Sequence, residues 1–571
     1  MTPTEEATRN GGPAMDFDYH TLWSAWDPWS VIPEKYNLGV ELTHGQVARG
    51  RGGRVALHWE NAVGATRTIT YAELDELSTR LARSLQRLGV RRGDRVFLRL
   101  PNIPEFYVAA LGVAKLGGVF IPASTQFRAG EVQYRLLDSG AAAAIVTSDL
   151  LDAIDDSASA CADLKRIIVV PYPDPESSIR NHEDYRRLVG DDSRIGLTSW
   201  EPVQTRNDDL AFLAYTSGTT GDPKGVAHMH RYALAYESLV RYWHDYRDQD
   251  VVACPSELGW LLPVASTFLY ALGHGLTVVL YDAMGRRFDA GKWFELFQRY
   301  RITSFTAPPT VYRMLMAAAD RAAEFDLSSW RHAVSAGEPL PADTLHAIQR
   351  CFGVTPLDGI GMSECMVYCF NMVGMPLRPG SCGRPGPGAV IEVMDDNLQP
   401  LAADTEGILC VRRSSHPGMM KDYWHKPDRT AEVFRGEWYV SGDVVTKDRD
   451  GYFWFQGRAD DVMKASGYRI SPFEVESCLC CHPAVLEAAA VASPDPLRGT
   501  IVKALIVLRA GFEPTDRLAD QVQNFVKERI APYKCPRKIE FIAALPKTTS
   551  GKVQRRLLRE REQQITDQAT G

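Results

Sequence analysis

The sequence predicts an α/β protein. A large N-terminal domain of parallel-type α/β subdomains, with a small β subdomain, precedes a small α+β C-terminal domain. Three observations carry this. From Val55 to Ser335 short apolar runs alternate with segments of helical period, as expected of a parallel sheet covered by helices on both faces. From Pro376 to about Phe455 the texture changes to short strands and glycine-rich turns, which marks the β subdomain. At Gly457-Arg-Ala-Asp-Asp461 a new compositional unit begins, about the size of a small domain. The expected division is a disordered tail over 1–15, the large domain over 16–457, a boundary at 458–461 and the small domain over 462–571. A chain of 571 residues needs more than one domain, at roughly 150 residues each.

The elements follow in order. Trp23, Trp26 and Trp29 recur every third residue and predict a helical stripe packed on the body. Val55 to Trp59 reads as a strand and Arg67 to Tyr71 as its hairpin partner. A helix from Tyr71 to about Leu88 places Leu74, Leu77, Leu81, Leu85 and Leu88 on one face, and Gly89 stops it. Strands at Arg95–Leu100, Val119–Pro122 and Ala141–Thr147 alternate with helices at Ile103–Leu116 and Gly130–Asp138. After an apolar strand, Leu210 to Tyr215, the pattern resumes. Helices are expected at 232–243, 264–272, 292–299 and 311–323, with strands at 251–254, 276–281, 304–307 and 332–335. The C-terminal unit reads as a hairpin over 462–470, a helix over 472–481, strands over 487–492 and 502–508, a helix over 518–529, a strand near 539–542 and a basic tail.

Composition excludes some functions. Lys and Arg number 64 against 71 Asp and Glu, a net charge of −7, so there is no basic footprint for nucleic acid. No apolar run reaches the length of a membrane span. The polar start, with Glu5 and Glu6, reads as neither signal nor transit peptide, and the 11 scattered cysteines suit reduced thiols, so a cytoplasmic protein is expected. The cluster Cys478-Leu-Cys-Cys-His482 lacks a second ligand pair at zinc spacing and reads as cysteines on a helix face.

The densest chemistry lies in Leu213-Ala-Tyr-Thr-Ser-Gly-Thr-Thr-Gly-Asp-Pro-Lys-Gly225. Glycines let backbone N–H groups close around an anion, the hydroxyls of Thr216, Ser217, Thr219 and Thr220 add donors, and Lys224 adds a charge. A polyphosphate is the natural ligand. The loop is not a Walker motif, because Pro223 precedes Lys224 and Gly225 follows it. Downstream, Ser335-Ala-Gly-Glu-Pro339 could lay backbone against a flat base. Asp358-Gly-Ile-Gly-Met-Ser-Glu364 combines carboxylates, glycines and a hydroxyl; Glu364 is a candidate Mg²⁺ ligand, since Mg²⁺ takes one or two carboxylates plus phosphate oxygens. Trp438-Tyr-Val-Ser-Gly-Asp443 ends on an acid suited to the hydroxyls of a ribose.

These stretches, in this order, resemble the adenylate-forming superfamily of acyl-CoA synthetases, adenylation domains and luciferases. Gly457-Arg-Ala-Asp-Asp461, Lys464-Ala-Ser-Gly-Tyr-Arg469 and Pro546-Lys-Thr-Thr-Ser-Gly-Lys552 extend the resemblance to nearly the whole chain. Asp358-Gly-Ile-Gly, Ser471-Pro-Phe-Glu-Val-Glu476, Ser493-Pro-Asp-Pro-Leu-Arg-Gly499 and Ala531-Pro-Tyr-Lys-Cys-Pro-Arg-Lys538 make it most similar to benzoate-CoA ligases and medium-chain acyl-CoA synthetases.

The resemblance implies an ATP-dependent acid–thiol ligase with ATP and CoA as co-substrates and Mg²⁺ as cofactor. It implies a homodimer as one open assembly. A carboxylate attacks the α-phosphate of ATP, giving an acyl-adenylate and pyrophosphate, and CoA then displaces AMP. By resemblance, Thr216, Ser217, Gly218, Thr219, Thr220, Gly221 and Lys224 hold the β- and γ-phosphates, Glu364 holds Mg²⁺, and Ser363 reaches the α-phosphate. Gly337, Glu338 and Pro339 with Asp358 frame the adenine, Gly359, Ile360, Gly361 and Met362 belong to the same ATP/AMP-binding set, and Asp443 and Arg458 hold the ribose and Arg469 a phosphate. Lys552 is the adenylation lysine, delivered by a mobile C-terminal domain that rotates at the hinge Asp460. Ser466, Gly467, Arg498 and Lys534 match CoA-contacting positions. The acid pocket is expected near Trp260, Val264, Ala307, Ala336 and Gly359, where small residues leave room for an aromatic, cyclic or medium-chain acid. One departure is Ile360, where many members have a Tyr that stacks on adenine. Loading of a carrier protein, and specialisation for one half-reaction, are the alternatives.

Overall fold

The structure, a computed structural model, describes residues 18–190, 200–216, 222–459, 461, 463–465, 468–495, 499–547 and 553–570. The expected α/β class is observed. A seven-stranded sheet runs in the order Glu183–Asp184, Arg166–Val170, Ala143–Thr147, Arg95–Arg99, Val119–Pro122, Leu210–Tyr215, Gly225–Met229. All its pairs are parallel except the last, Leu210–Tyr215 with Gly225–Met229. The phosphate-type loop therefore joins two antiparallel strands. The sequence reading has a helix next after the loop and no strand at Gly225–Met229. That strand is buried along its whole length, so it lacks the alternation that marks a half-buried strand.

A second, nine-stranded sheet has a parallel centre. Strand Val251–Ala253 lies between Thr277–Asp282 and Ser304–Ala307, followed outward by His332–Ser335 and Pro356–Gly361. The order thus reverses at Val251–Ala253. In such sheets ligands bind beyond the carboxyl ends of the strands at the reversal. Ala307 ends its strand, Ala336 and Gly337 follow the end of His332–Ser335, and Asp358, within Pro356–Gly361, pairs with Ser335 at the last parallel register.

The helix Tyr71–Arg87 forms as its leucine spacing predicts, with a Thr70–Glu73 capping box at its start and Gly89 at φ +93° just past its end. Leu74, Leu81 and Leu85 are fully buried against the body. The tryptophan stripe does not form. The helix is only Tyr19–Ala25, and Asp27-Pro28 diverts the chain. Each tryptophan is instead held singly. The indole N–H groups of Trp23 and Trp29 donate to Ala389 O and Ser414 O at 3.0 and 2.7 Å, and Trp26 packs edge-on against Tyr242. The helices expected at 232–243 and 264–272 are broken by π-helical turns, Val240–His244 and Val264–Tyr270.

The β-rich stretch is a five-stranded sheet in which Trp438–Lys447 pairs with Gly407–Arg412, Phe434–Arg435 and Phe453–Arg458. Beyond it, hairpin Met463–Ala465/Tyr468–Ile470 and the sheet Val485–Asp495, Gly499–Leu508, Lys538–Phe541 enclose a separate apolar core. The basic tail is a helix, Arg555–Thr570. Cys478 is buried and Cys480 and Cys481 are exposed at the end of helix Pro472–Cys480; among the described residues no group of side chains has metal-binding geometry.

Candidate active site

The site is assembled by one segment that carries no motif, residues 421–426. Lys421 N donates to Ala227 O, Ala227 N to Asp422 O and Trp424 N to Gly225 O, so this segment lies along strand Gly225–Met229 like an added edge. Lys426 is anchored by its ammonium to Asp138 at 2.5 Å. Tyr423 is thereby buried, 2% exposed. Its hydroxyl donates to Glu364 Oε1 at 2.5 Å, and the Lys224 ammonium lies 4.4 Å from its ring centre. One ring thus braces the expected metal carboxylate and the expected phosphate lysine. Burial, and then the charge of Glu364, push the Tyr423 hydroxyl far above the usual phenol range, so it is a donor at any working pH.

The loop is closed at its base. Thr216 N donates to Lys224 O at 3.0 Å and Lys224 N to Thr216 Oγ1 at 3.1 Å. Tyr134 OH donates to Pro223 O. Ser217, Gly218, Thr219, Thr220 and Gly221 lie outside the described residues.

The stretch 358–364 is shaped by glycine. A Cβ on Gly361 would fall 1.7 Å from Met366 O, so only glycine lets the chain double back there. The turn aims Glu364 inward, 8% exposed. Ser363 is held by His228, whose Nε2–H donates to its carbonyl at 2.9 Å. Burial lowers the His228 ring to about 3, so it is neutral with its proton on Nε2. Ile360 and Met362 pack with Tyr368, Tyr423 and Tyr439 in one apolar cluster. Asp443, 4% exposed, accepts from Arg458 Nη1 at 2.9 Å and from Tyr368 OH at 3.5 Å. Gly337, at φ +93°, has open space on its side-chain face, whereas Glu338 is bound to Thr310 and Arg313.

Asp358 is buried at the end of the parallel sheet. Leu340 N lies 3.4 Å from its Oδ2, while Oδ1 has no partner among the described residues. Burial raises its pKa well above the carboxylate range; the N–H groups of Leu340 and Gly359 oppose this and lose. The folded state then holds this proton more tightly than the unfolded chain does. The stability it carries is present at low pH and is lost as pH climbs through the folded pKa. Asp358→Asn is therefore expected to gain stability relative to wild type between about pH 5 and about pH 8. Urea unfolding at both pH values checks this, and a difference that does not change with pH would refute it.

The acid pocket is expected near Trp260, Val264, Ala307, Ala336 and Gly359. Val264, Ala307 and Ala336 are buried, and Trp260 lies edge-on to Phe127 at 5.9 Å. Gly359 leaves no room for an acid on its side-chain face. A Cβ there would meet Val367 Cγ1 at 2.6 Å, so this glycine serves close strand packing. Lys534 is engaged by Glu474 at 2.6 Å. Asp460, Ser466, Gly467, Arg498 and Lys552 lie outside the described residues, as does the side chain of Arg469.

Tyr423, Tyr368 and His228 have no motif spacing. The available signal for Tyr423 was its place in an aromatic, Lys- and Pro-containing stretch, Lys421-Asp-Tyr-Trp-His-Lys-Pro427.

The chain matches the AMP-binding enzyme family over residues 45–424 and the AMP-binding enzyme C-terminal domain over residues 474–552. It is 38% identical to the uncharacterized acyl-CoA ligase YtcI of Bacillus subtilis over 94% of this chain and 98% of that protein. It is 36% identical to the human mitochondrial acyl-coenzyme A synthetase ACSM3 over 93% of this chain and 90% of that one. Among solved structures, the anthranilate CoA ligase AuaEII in complex with anthranoyl-AMP superposes with a TM-score of 0.84 at 31% identity, covering 93% of this chain and 98% of that one. A benzoate CoA ligase from Burkholderia xenovorans LB400 gives 0.79 at 30% identity, over 92% and 100%. Two family matches in series and relatives aligned over nearly their whole length agree: the chain belongs to the AMP-binding enzyme family and is an AMP-forming acid–thiol ligase.

Proposed function

We propose that this enzyme converts an aromatic, cyclic or medium-chain carboxylic acid to its CoA thioester through an acyl-adenylate. The observation that carries the assignment of roles is the convergence of Lys224 and Glu364 on Tyr423. A cation and a carboxylate held by one buried ring suit a polyphosphate and its metal ion.

In this reading the loop 216–221 and Lys224 hold the β- and γ-phosphates and Ser363 meets the α-phosphate. Asp443, steadied by Arg458 and Tyr368, takes the ribose hydroxyls. Gly337 to Pro339 and Asp358 frame the adenine, where the unpartnered Asp358 Oδ1 suits the adenine amino group. The donor set fits Mg²⁺. Glu364 has Tyr423 as its side-chain partner among the described residues, which leaves a carboxylate oxygen for a metal that otherwise binds phosphate and water. When bound, the ion supplies neutralisation of charge on the phosphates.

The acid carboxylate displaces pyrophosphate from the α-phosphorus. The CoA thiolate then attacks the acyl carbonyl and AMP departs with the bonding pair. The protein's part is positioning and charge stabilisation, with no covalent intermediate on the chain. Residues 458–461 are the proposed hinge between the domains, with Ser466, Gly467, Arg498 and Lys534 meeting CoA afterwards. The aromatic class gains support from the anthranilate and benzoate ligases among the neighbours.

A screen of carboxylic acids with ATP, Mg²⁺ and CoA, read as thioester mass, tests the function. Absence of any thioester, with transfer to a carrier protein instead, would overturn it. Tyr423→Phe is expected to slow acyl-adenylate formation about 10-fold or more, since a hydrogen bond to a charged group contributes ~1.5–3 kcal/mol. Acid-dependent ATP–pyrophosphate exchange checks this; a rate within twofold of wild type would show that Tyr423 does not support the site.

A further inference from the structure

A second cleft lies outside the residues assigned to the reaction. Its volume is about 370 Å³, the size of a small-molecule site. Three stretches far apart in sequence build it. The indole N–H of Trp29 donates to Ser414 O at 2.7 Å, and the Arg231 guanidinium lies 5.2 Å from the Trp29 ring centre. Arg231 Nε donates to Pro417 O at 2.9 Å, which fixes the guanidinium at the cleft wall. Met419 and Met420, 4% and 2% exposed, line the cleft with His416.

The cleft carries more positive charge than its own carboxylate answers. Arg413 rests over the Phe434 ring, 3.7 Å from its centre, and its guanidinium has no hydrogen bond or ion pair among the described residues. Arg231 uses Nε on Pro417 and Nη1 on Asn207, the latter at 3.4 Å, which leaves Nη2. Glu437, the acid lining the cleft, is engaged by Arg412 Nε at 3.1 Å. Asp208 attracts Arg231 from farther off and is itself paired with Arg206. His416 is buried, with Nδ1 unpartnered among the described residues, and burial lowers its ring to about 4, so it adds no charge.

Guanidinium groups present planar donors that match the two oxygens of a carboxylate. Methionine side chains adapt to apolar groups of varied shape. They offer no donor to a ribose or to the further oxygens of a phosphate. We propose that this cleft is a second ligand site, for a small organic carboxylate: Arg413 and Arg231 take the carboxylate, and Met419 and Met420 take the apolar body. The occupant rests on backbone that fixes the Glu364 turn. Met420 N donates to Glu364 O at 2.8 Å, and Tyr236 OH donates to Gly418 O at 3.1 Å while accepting from Met366 N at 2.7 Å. A Cβ on Gly418 would fall 2.2 Å from the Tyr236 ring, so the segment has no slack there.

Photolabelling of the full-length enzyme with 4-benzoylbenzoate below saturation, followed by peptide mass mapping, tests the site. An adduct on Met419 or Met420 is expected, suppressed by excess octanoate and untouched by octanamide. Arg413→Met, which keeps an apolar stem over Phe434, is expected to lower its yield about 10-fold, the effect of losing a hydrogen bond to a charged group. Absence of an adduct on this segment, or a wild-type yield in Arg413→Met, overturns the proposal. Equal suppression by octanamide would show an apolar patch only, and equal suppression by inorganic phosphate a general anion site; each overturns the carboxylate assignment. Should Arg413→Met not fold, Arg413→Gln carries the same test.

Discussion

Lys552→Ala is expected to lower acyl-adenylate formation by about 10²–10³-fold or more, the loss seen when a donor aimed at developing charge is removed. Thioester formation from a supplied acyl-adenylate should persist. In the proposed first step negative charge builds on the α-phosphate oxygens as the carboxylate approaches, and Lys224 is the proposed partner of the other phosphates. A second cation is required there. Of the residues that flank the Lys552 segment in sequence, Lys547 and Val553 form an antiparallel bridge and Arg555 is bonded to Glu476. The second half-reaction expels AMP from carbon and needs no cation from that segment. Pyrophosphate exchange and single-turnover thioester formation, measured on the same preparation, check the split. Equal impairment of the two would mean that Lys552 holds the fold and does not serve one step.

Glu364→Gln is expected to reduce the same exchange by about 10²-fold and to raise the Mg²⁺ concentration needed for half-maximal rate. The substitution keeps the volume and leaves an oxygen for the Tyr423 hydroxyl, so the 416–424 backbone, held in part by Met420 N on Glu364 O at 2.8 Å, has no reason to move. What it removes is the charge. A Mg²⁺ titration at fixed ATP, with thermal melting as control for the fold, checks this. A variant with an unchanged Mg²⁺ requirement would show that Glu364 acts by charge on its neighbours alone. Tyr423→Phe makes the opposite cut: it keeps the charge and removes its fixed direction. Its loss should be smaller than that of Glu364→Gln.

The residues proposed for phosphate and ribose can be named from the sequence alone because that chemistry imposes local patterns. Glycine, hydroxyl and lysine must lie close in sequence to make a loop such as 213–225, and Gly361 must be glycine where Met366 O comes within 1.7 Å of any Cβ. The alternation of strands and helices was equally legible, as the capped helix Tyr71–Arg87 shows. Misreadings arose where a pattern had two physical origins. Tryptophans three apart can mark a helix face, but Trp26 and Trp29 lie beyond its end and reach carbonyls or rings far along the chain. A glycine near a pocket can make room for a ligand; Gly359 makes room for Val367.

The order of motifs settles the family and the need for ATP, because local backbone shape around a phosphate is encoded locally. The tertiary structure alone decides which side chains support those motifs. Tyr423 reaches Glu364 across 59 positions, Tyr368 reaches Asp443 across 75, and Arg555 reaches Glu476 across 79. None of these pairings leaves a spacing to detect. They exist because a buried carboxylate must find a partner, and the fold determines which donor lies within hydrogen-bond reach.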